Sequence, residues 1–282
     1  MVYTIYIDKI KDGTVMAFWY DGNKNYAENK REKEGIIYYI RGVCEVEGRR
    51  FERYAVNTHF IDRGENLSEL IGRYVKPLYK QGDIVAIGEK VVSMCQDNTV
   101  EKKDVKIGFL ARTLSKFAKQ NSDTGIGMGE PYKLQLAINM KGAPLILWAA
   151  FCGAVGKVFG KRGVFYEIVG QDIAGIDGFY MHSAFETYHD LAVLNPEDPN
   201  GACKKIFDEQ GVTNMIIDAN DISVEILGTS EDLKALSEEF LCELVRDNPA
   251  GQDDELTPFI IIRDIKDNPA EPYVPMKARE EI

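Results

Sequence analysis

Between residues 173 and 221 two short apolar runs flank a helix-like segment, and no other stretch restricts the fold as much. The first run, Ile-Ala-Gly-Ile-Asp-Gly at 173–178, carries Asp177; the second, Met-Ile-Ile-Asp-Ala-Asn-Asp at 215–221, carries Asp218 and Asp221. Residues 200–210 lie between them, read as a helix and stop at Gly211. Strand, helix, strand is the grammar of a mixed α/β (α+β) chain, not of an all-β one. Acids at strand ends are natural places to hold a hard divalent cation, which takes a few carboxylate oxygens plus waters and substrate phosphates. The same aspartates also suit turns and helix caps.

The rest of the chain repeats the alternation. Strands are expected at 2–7, 35–39, 45–56, 83–93, 144–151, 164–169 and 258–263. Helices are expected from Leu67, with Asn66 as N-cap, Glu69 three residues on, and Pro77 shortening the helix, and over 107–119, 131–140 and 231–246. Residues 121–130 are rich in Ser, Asp and Gly and read as a loop, expected to be mobile. The prolines at 269, 272 and 275 mark an extended C-terminal arm.

A length of 282 residues suffices for one large domain or two modest ones. The formal charge of −11 argues against nucleic acid or an anionic membrane as partner, since both need basic patches. It leaves room for a nucleotide held through metal ions. The five cysteines are scattered, with no C-x-x-C pair, which points to reduced thiols in a cytoplasmic protein. The N-terminus lacks a signal-peptide pattern. The longest apolar run, 143–156, falls short of a bilayer span and reads as buried strand and turn.

Gly153-x-x-Gly156-Lys157-x-x-Gly160-Lys161-Arg162-Gly163 invites a phosphate-loop reading, but neither Gly-Lys pair has the Walker glycine before it or the Ser/Thr after it. A glycine-rich hairpin with solvated lysines accounts for it too. Gly125-x-Gly127-x-Gly129 lacks dinucleotide-binding spacing. His182 and His189 lie seven apart, near Asp177 and Glu186, and read either as metal ligands or proton relays or as surface packing. No Ser-His-Asp or Cys-His order supports acyl-enzyme chemistry.

Residues 56–67, Val-Asn-Thr-His-Phe-Ile-Asp-Arg-Gly-Glu-Asn-Leu, resemble the V-K-T-x-x-I-x-x-G-D-D-L opening of the coenzyme F-420-0:γ-glutamyl ligases. Residues 82–93, Gly-Asp-Ile-Val-Ala-Ile-Gly-Glu-Lys-Val-Val-Ser, are similar to that family's G-D-I-L-V-V-A-x-K-V-V-S. Ala174-Gly175-Ile176-Asp177 resembles its A-G-V-D-R-S, and residues 194–202 resemble its L-L-P-x-D-P-D-x-S-A. Asp218 falls at the Asp of its T-D-T. The likeness runs over about residues 50–265, which divides the chain into a β-rich extension (1–50), a ligase-like domain (51–265) and an extended arm (266–282).

The resemblance implies an amide ligase that joins L-glutamate to a phosphate-bearing deazaflavin cofactor, with GTP as co-substrate and Mg²⁺ or Mn²⁺ as metal. It implies a homodimer, with the apolar 144–155 stretch and the C-terminal arm as candidate contacts. By the same resemblance Asp177 and Asp218 are metal ligands, with Asn220 and Asp221 able to complete the coordination. Lys90, Ser93 and the Gly64 turn would lie near the nucleotide. The chain departs from the pattern in its cations: the family's Arg-Ser after A-G-V-D is Gly178-Phe179, no F-G-R-P-x-R follows Asp218, and Met94 replaces a lysine. Lys157, Lys161 and Arg162 are the candidates to replace that charge. The alternative is a non-catalytic nucleotide- or metabolite-binding relative that kept the fold.

Overall fold

The computed structural model describes residues 3–9, 15–21, 24–118, 121–122, 125–161, 163–179, 185–219, 224–251, 253–266 and 268–275. These residues fall into two compact units, residues 1–96 with 196–282 and residues 97–195.

The first unit opens with an antiparallel pair, β1 (Tyr3–Lys9) and β2 (Val15–Asp21). Then come β3 (Lys30–Lys33), β4 (Ile36–Val46) and β5 (Arg49–Val56). Two-residue turns join these last three, Glu34-Gly35 and Glu47-Gly48, with φ of 53°, 77°, 50° and 73°. Positive φ at both turn positions is what a tight hairpin in a right-twisted sheet requires. Helix α1 (Leu67–Leu70) begins where the Asn66 side chain accepts the backbone N–H groups of Ser68 and Glu69, and runs on as a π turn (Ile71–Val75). It stops before Pro77, as the sequence predicts. Strand β6 (Ile84–Gly88) leads directly into α2 (Glu89–Cys95).

The second unit holds β7 (Thr99–Glu101), α3 (Phe109–Leu114), the short pair β8 (Asn121–Ser122) and β9 (Gly125–Ile126), α4 (Pro131–Lys141), α5 (Ala143–Val158), α6 (Val164–Val169), α7 (Gln171–Ala174), β10 (Asp177–Gly178) and β11 (Leu191–Val193). Its strands β10, β11 and β7 form one antiparallel sheet. Its core gathers Leu134, Ala137, Ile146, Ala149, Val169 and Ile173 from the helices and Ala192 from the sheet.

The chain returns to the first unit with α8 (Pro199–Gln210), which ends on left-handed Gly211, then β12 (Asn214–Ala219), β13 (Val224–Thr229), α9 (Glu238–Val245) and β14 (Phe259–Asp264). Seven strands are ordered β13-β12-β6-β14-β5-β4-β3; β12 and β6 are parallel and the other neighbours antiparallel. Alternate residues face opposite sides. Val85, Ile87, Ile216, Phe259 and Ile261 pack with Ile71, Val92 and Ile206, the side of α1, α2 and α8. Ala86, Met215, Ile217, Ile260 and Ile262 pack with Phe240, Leu241 and Leu244 of α9. Sandwiched on both faces, β6, β12 and β14 are apolar without alternation.

Four sequence expectations are corrected. Residues 144–151 and 164–169 form helices, not strands. An apolar run has no period to read; Pro144 suits the first turn of a helix, and Ala and Leu sustain it. The β-branched and aromatic α6 is helical because Gly153 and Gly156 let it press against α5, where a Cβ would meet Phe165 and Val164. The strand expected over 83–93 ends at Gly88, since Glu89 and Lys90 cannot continue through a core covered on both faces. The helix expected over 231–246 is confined to 238–245, because Ser237 caps it, accepting the Phe240 N–H at 3.1 Å. The loop at 121–130 contains the β8–β9 pair, and residues 123–124 lie outside the described residues.

Candidate functional site

In the first unit the site is built on the parallel strand pair β12 and β6. Parallel strands deliver their carboxyl ends to one edge, where α/β folds bind ligands. Ile217 of β12 stands beside Gly88 of β6, so Asp218 projects just past the point where the chain turns into α2. Ile216 shares its core face with Val92 of α2, and two-residue alternation puts Asp218 on that same face. Asp218 is half-buried and lies opposite Glu225 on β13. Two carboxylates directly opposed across an antiparallel pair repel. A cation between them removes the cost, and Mg²⁺ or Mn²⁺ asks for no more protein ligands than one or two carboxylates. One or two carboxylates of this kind are what a divalent ion would supplement with water and phosphate. Among the described residues no cluster of three His, Cys, Asp or Glu has metal-binding geometry. Asn220 and Asp221, expected to help, lie outside the described residues, as do His182 and Arg162.

The neighbouring loop, 57–66, is pinned to α2: the Gly64 N–H donates to the Met94 carbonyl at 2.9 Å. Gly64 has φ of +76°, with open space where a side chain would project. On this loop the His59 ring joins the Tyr74 hydroxyl at 2.7 Å to the Glu65 carboxylate at 3.0 Å. Lys90 lies in the first turn of α2 and is half-buried. Ser93, on the same helix, is fully buried, and its hydroxyl has no hydrogen-bond partner among the described residues. The loop preceding α8 is fixed to the end of α2 by the Gln96 side chain, which bonds both the N–H and the carbonyl of Glu197, at 2.7 and 2.6 Å. Asp198 then caps α8, accepting the Gly201 N–H at 3.0 Å.

In the second unit Asp177 opens β10, paired with Val193 of β11. The sequence reading missed its neighbour, Lys133. This lysine sits on α4 and is only 5% exposed. Burial pushes its ammonium down to about 8, against the opposing pull of Asp177 and then Glu130. Glu130 caps α4 through the Lys133 N–H at 2.7 Å, and burial raises its carboxyl. Tyr132 packs on Phe179 at 5.5 Å between ring centres, with the Lys102 ammonium 5.1 Å from the Tyr132 ring. A buried lysine with a displaced pKa beside a carboxylate is a mark of a functional site. The sequence signal for it was a single charge inside the apolar run of 132–138.

The backbone after Asp177 explains the departure at 178–179. Gly178 has φ of +139°, and a Cβ there would overlap the Leu191 carbonyl oxygen and the Ala192 Cα. Phe179, at φ of 53°, is buried in the core. Lys157 and Lys161 are both exposed, on the last turn of α5 and just after it, and Lys161 pairs with Glu167 at 3.0 Å. His189 sits in a 3₁₀ turn (Glu186–His189).

Among the described residues no single helix is long and apolar enough to cross a membrane; α4 and α5 pass that test only together, as a pair bent by 120°. No curated protein matches the chain in sequence. The family model described as F420-0:gamma-glutamyl ligase matches residues 55–217, a span that begins at the end of β5, includes the Gly64 loop, α2, Lys133 and Asp177, and ends beside Asp218. The chain belongs to the F420-0:gamma-glutamyl ligase family.

Proposed function

We propose that this protein is a GTP- and divalent-metal-dependent cytoplasmic ligase that attaches L-glutamate through its amine to an acid carried on a phosphate-bearing acceptor. The observation that carries this reading is the backbone pairing of Asp218 with Glu225 near the carboxyl end of β12, just after the family-matched span. Asp218 would hold the ion with Glu225 beside it; Asp177, the family's other acid, is a separate candidate in the second unit. Bound GTP and metal supply the phosphoryl group that activates the acceptor carboxyl and the positive charge that neutralises the polyphosphate. The chain's own residues would bind and orient. Lys90 in the first turn of α2 and the Gly64 loop pinned to that helix would face the nucleotide, and Lys133 would supply beside Asp177 a cation that the family carries at position 178. Amide formation then needs only the approach of a neutral glutamate amine to the activated carbonyl and departure of phosphate.

Titration of Mn²⁺ and then GTP into the parent, Asp218→Asn and Asp177→Asn tests the site. Each substitution is expected to weaken Mn²⁺ binding at least tenfold, about 1.4 kcal/mol, with the fold intact by circular dichroism. Unchanged Mn²⁺ affinity in both variants would show them to be turn residues and remove the physical support for the reading. A second reading, a binding protein without turnover, is favoured by one feature: Gly178 is locked by its backbone, so the family's arginine has no place there. GTP binding without glutamate-dependent phosphate release would decide for it.

A further inference from the structure

The seven-stranded sheet carries a second cluster of charge at the end remote from Asp218. Strand β14 runs antiparallel to β6, with Phe259 beside Ile87 and Ile262 beside Ile84. Residues 264–266 therefore lie past the amino end of β6, whereas Asp218 lies past its carboxyl end. At that far end a cavity of about 390 Å³ is lined by Gly48, Arg49, Arg50, Asp264 and Lys266. Three of the five are cations, in a chain whose formal charge is −11, and none falls within the family-matched residues 55–217.

The walls are fixed by hydrogen bonds. The Ile265 N–H donates to the Arg50 carbonyl at 3.0 Å, and the Lys266 N–H to the Asp264 carboxylate at 2.9 Å. Arg49 donates through Nε and Nη2 to Asp264 Oδ2, at 3.2 and 2.9 Å. Its guanidinium lies 4.9 Å from the centre of the Phe51 ring and 5.6 Å from that of Phe240. The one carboxylate of the lining is thus taken up by Arg49 and a backbone N–H. Arg50 and Lys266 form no ion pair among the described residues, although Glu45 stands opposite Arg50 across the β4–β5 hairpin. Lys266 also holds φ of 45°, a left-handed backbone that long side chains rarely adopt. Strain of this kind collects where ligands are gripped.

The lining selects the ligand. It includes no apolar or aromatic side chain, so a nucleoside base or an apolar group finds no partner in it. Guanidinium and ammonium groups match oxyanions, and arginine can meet a phosphate with two parallel N–H donors. The volume is that of a small-molecule site. Nucleic acid or a membrane would meet the whole acidic surface, whereas a compact anion responds to charges within a Debye length, about 8 Å. We propose that Arg49, Arg50 and Lys266 form a second, non-catalytic site that binds a phosphate group of a small soluble molecule, at the end of the sheet opposite the proposed metal.

The test is calorimetric titration of the full chain with inorganic pyrophosphate in the presence of EDTA, which removes metal-dependent binding at Asp218. The parent is expected to saturate at one pyrophosphate per chain, in the millimolar range or below. Arg50→Gln and Lys266→Gly are each expected to weaken binding at least tenfold without lowering the urea midpoint, because Arg50 is exposed and glycine relieves the left-handed backbone at 266. Lys234→Gln, which removes an exposed lysine paired with Glu231 at 2.6 Å, should bind like the parent. A parent that takes up no pyrophosphate overturns the proposal, as does an affinity that neither variant at 50 or 266 changes. Co-sedimentation with phosphatidic acid vesicles in place of pyrophosphate binding overturns it in favour of a lipid headgroup. Asp218→Asn should bind pyrophosphate like the parent, so this inference and the ligase reading fail separately.

Discussion

Replacing Gly178 by alanine, or by the arginine its family carries there, should damage the second unit far more than a surface glycine substitution does. Two terms add. At φ of +139° a side chain occupies a region that essentially glycine alone tolerates, at a cost of about 1–3 kcal/mol. The new Cβ would also overlap backbone atoms of Leu191 and Ala192, which cannot rotate away as a side-chain tip can. Relief requires β10 to part from β11, which weakens the Phe179 N–H bond to the Leu191 carbonyl, now 3.0 Å long, at a further cost of roughly 1 kcal/mol. The sum is on the order of 2–4 kcal/mol, a large fraction of a typical domain's ~5–15 kcal/mol. The assay is urea denaturation followed by tryptophan fluorescence. Only Trp19 and Trp148 are present, so a Trp19→Phe background makes Trp148 report on the second unit. Gly160→Ala is the control, because its φ is +76° but nothing lies within 4 Å of the added Cβ; it should cost about 1 kcal/mol. Equal costs for Gly178→Ala and Gly160→Ala would refute the steric argument and reopen position 178 to a functional side chain.

Two further outcomes are expected. Lys133→Gln should lower glutamyl transfer at least tenfold without lowering the urea midpoint, since the variant removes both the charge beside Asp177 and a buried ammonium that is costly to keep; full activity would show that Lys133 only packs. Cys95 and Cys203, both pushed up to about 12 by burial, carry neutral thiols at pH 8; both should resist iodoacetamide until the protein is unfolded, as mass spectrometry of the labelled peptides would show, and rapid labelling of the native protein would contradict their burial.

Much of the first unit is legible in the sequence because its signals are local. Asn66 marks a helix start through its own cap bonds, and Gly211 a stop through its left-handed backbone. Apolar runs at 84–88 and 214–219 mark strands covered on both faces. Asp218 does lie near the end of its strand, but Asp177 opens the two-residue β10 and the apolar run before it is partly helix α7, not the expected strand. The second unit was misread where burial depends on contacts distant in sequence. Nothing within residues 164–169 announces that two glycines in α5 make room for a helix there. Lys133 escaped because its environment comes from Asp177, forty-four positions away, and not from its neighbours on α4. Ser237 moved a helix start that hydrophobic spacing alone placed too early.

The most direct test of the account is a single mass-spectrometric measurement. The full chain is incubated with coenzyme F-420-0, L-glutamate, GTP and Mn²⁺, and the acceptor is weighed. The account predicts a gain of one glutamyl residue or more, matched by released phosphate, lost when GTP, glutamate or Mn²⁺ is omitted and strongly reduced in Asp218→Asn. An acceptor of unchanged mass, with GTP bound but not consumed, would contradict it and leave a family member that binds without ligating.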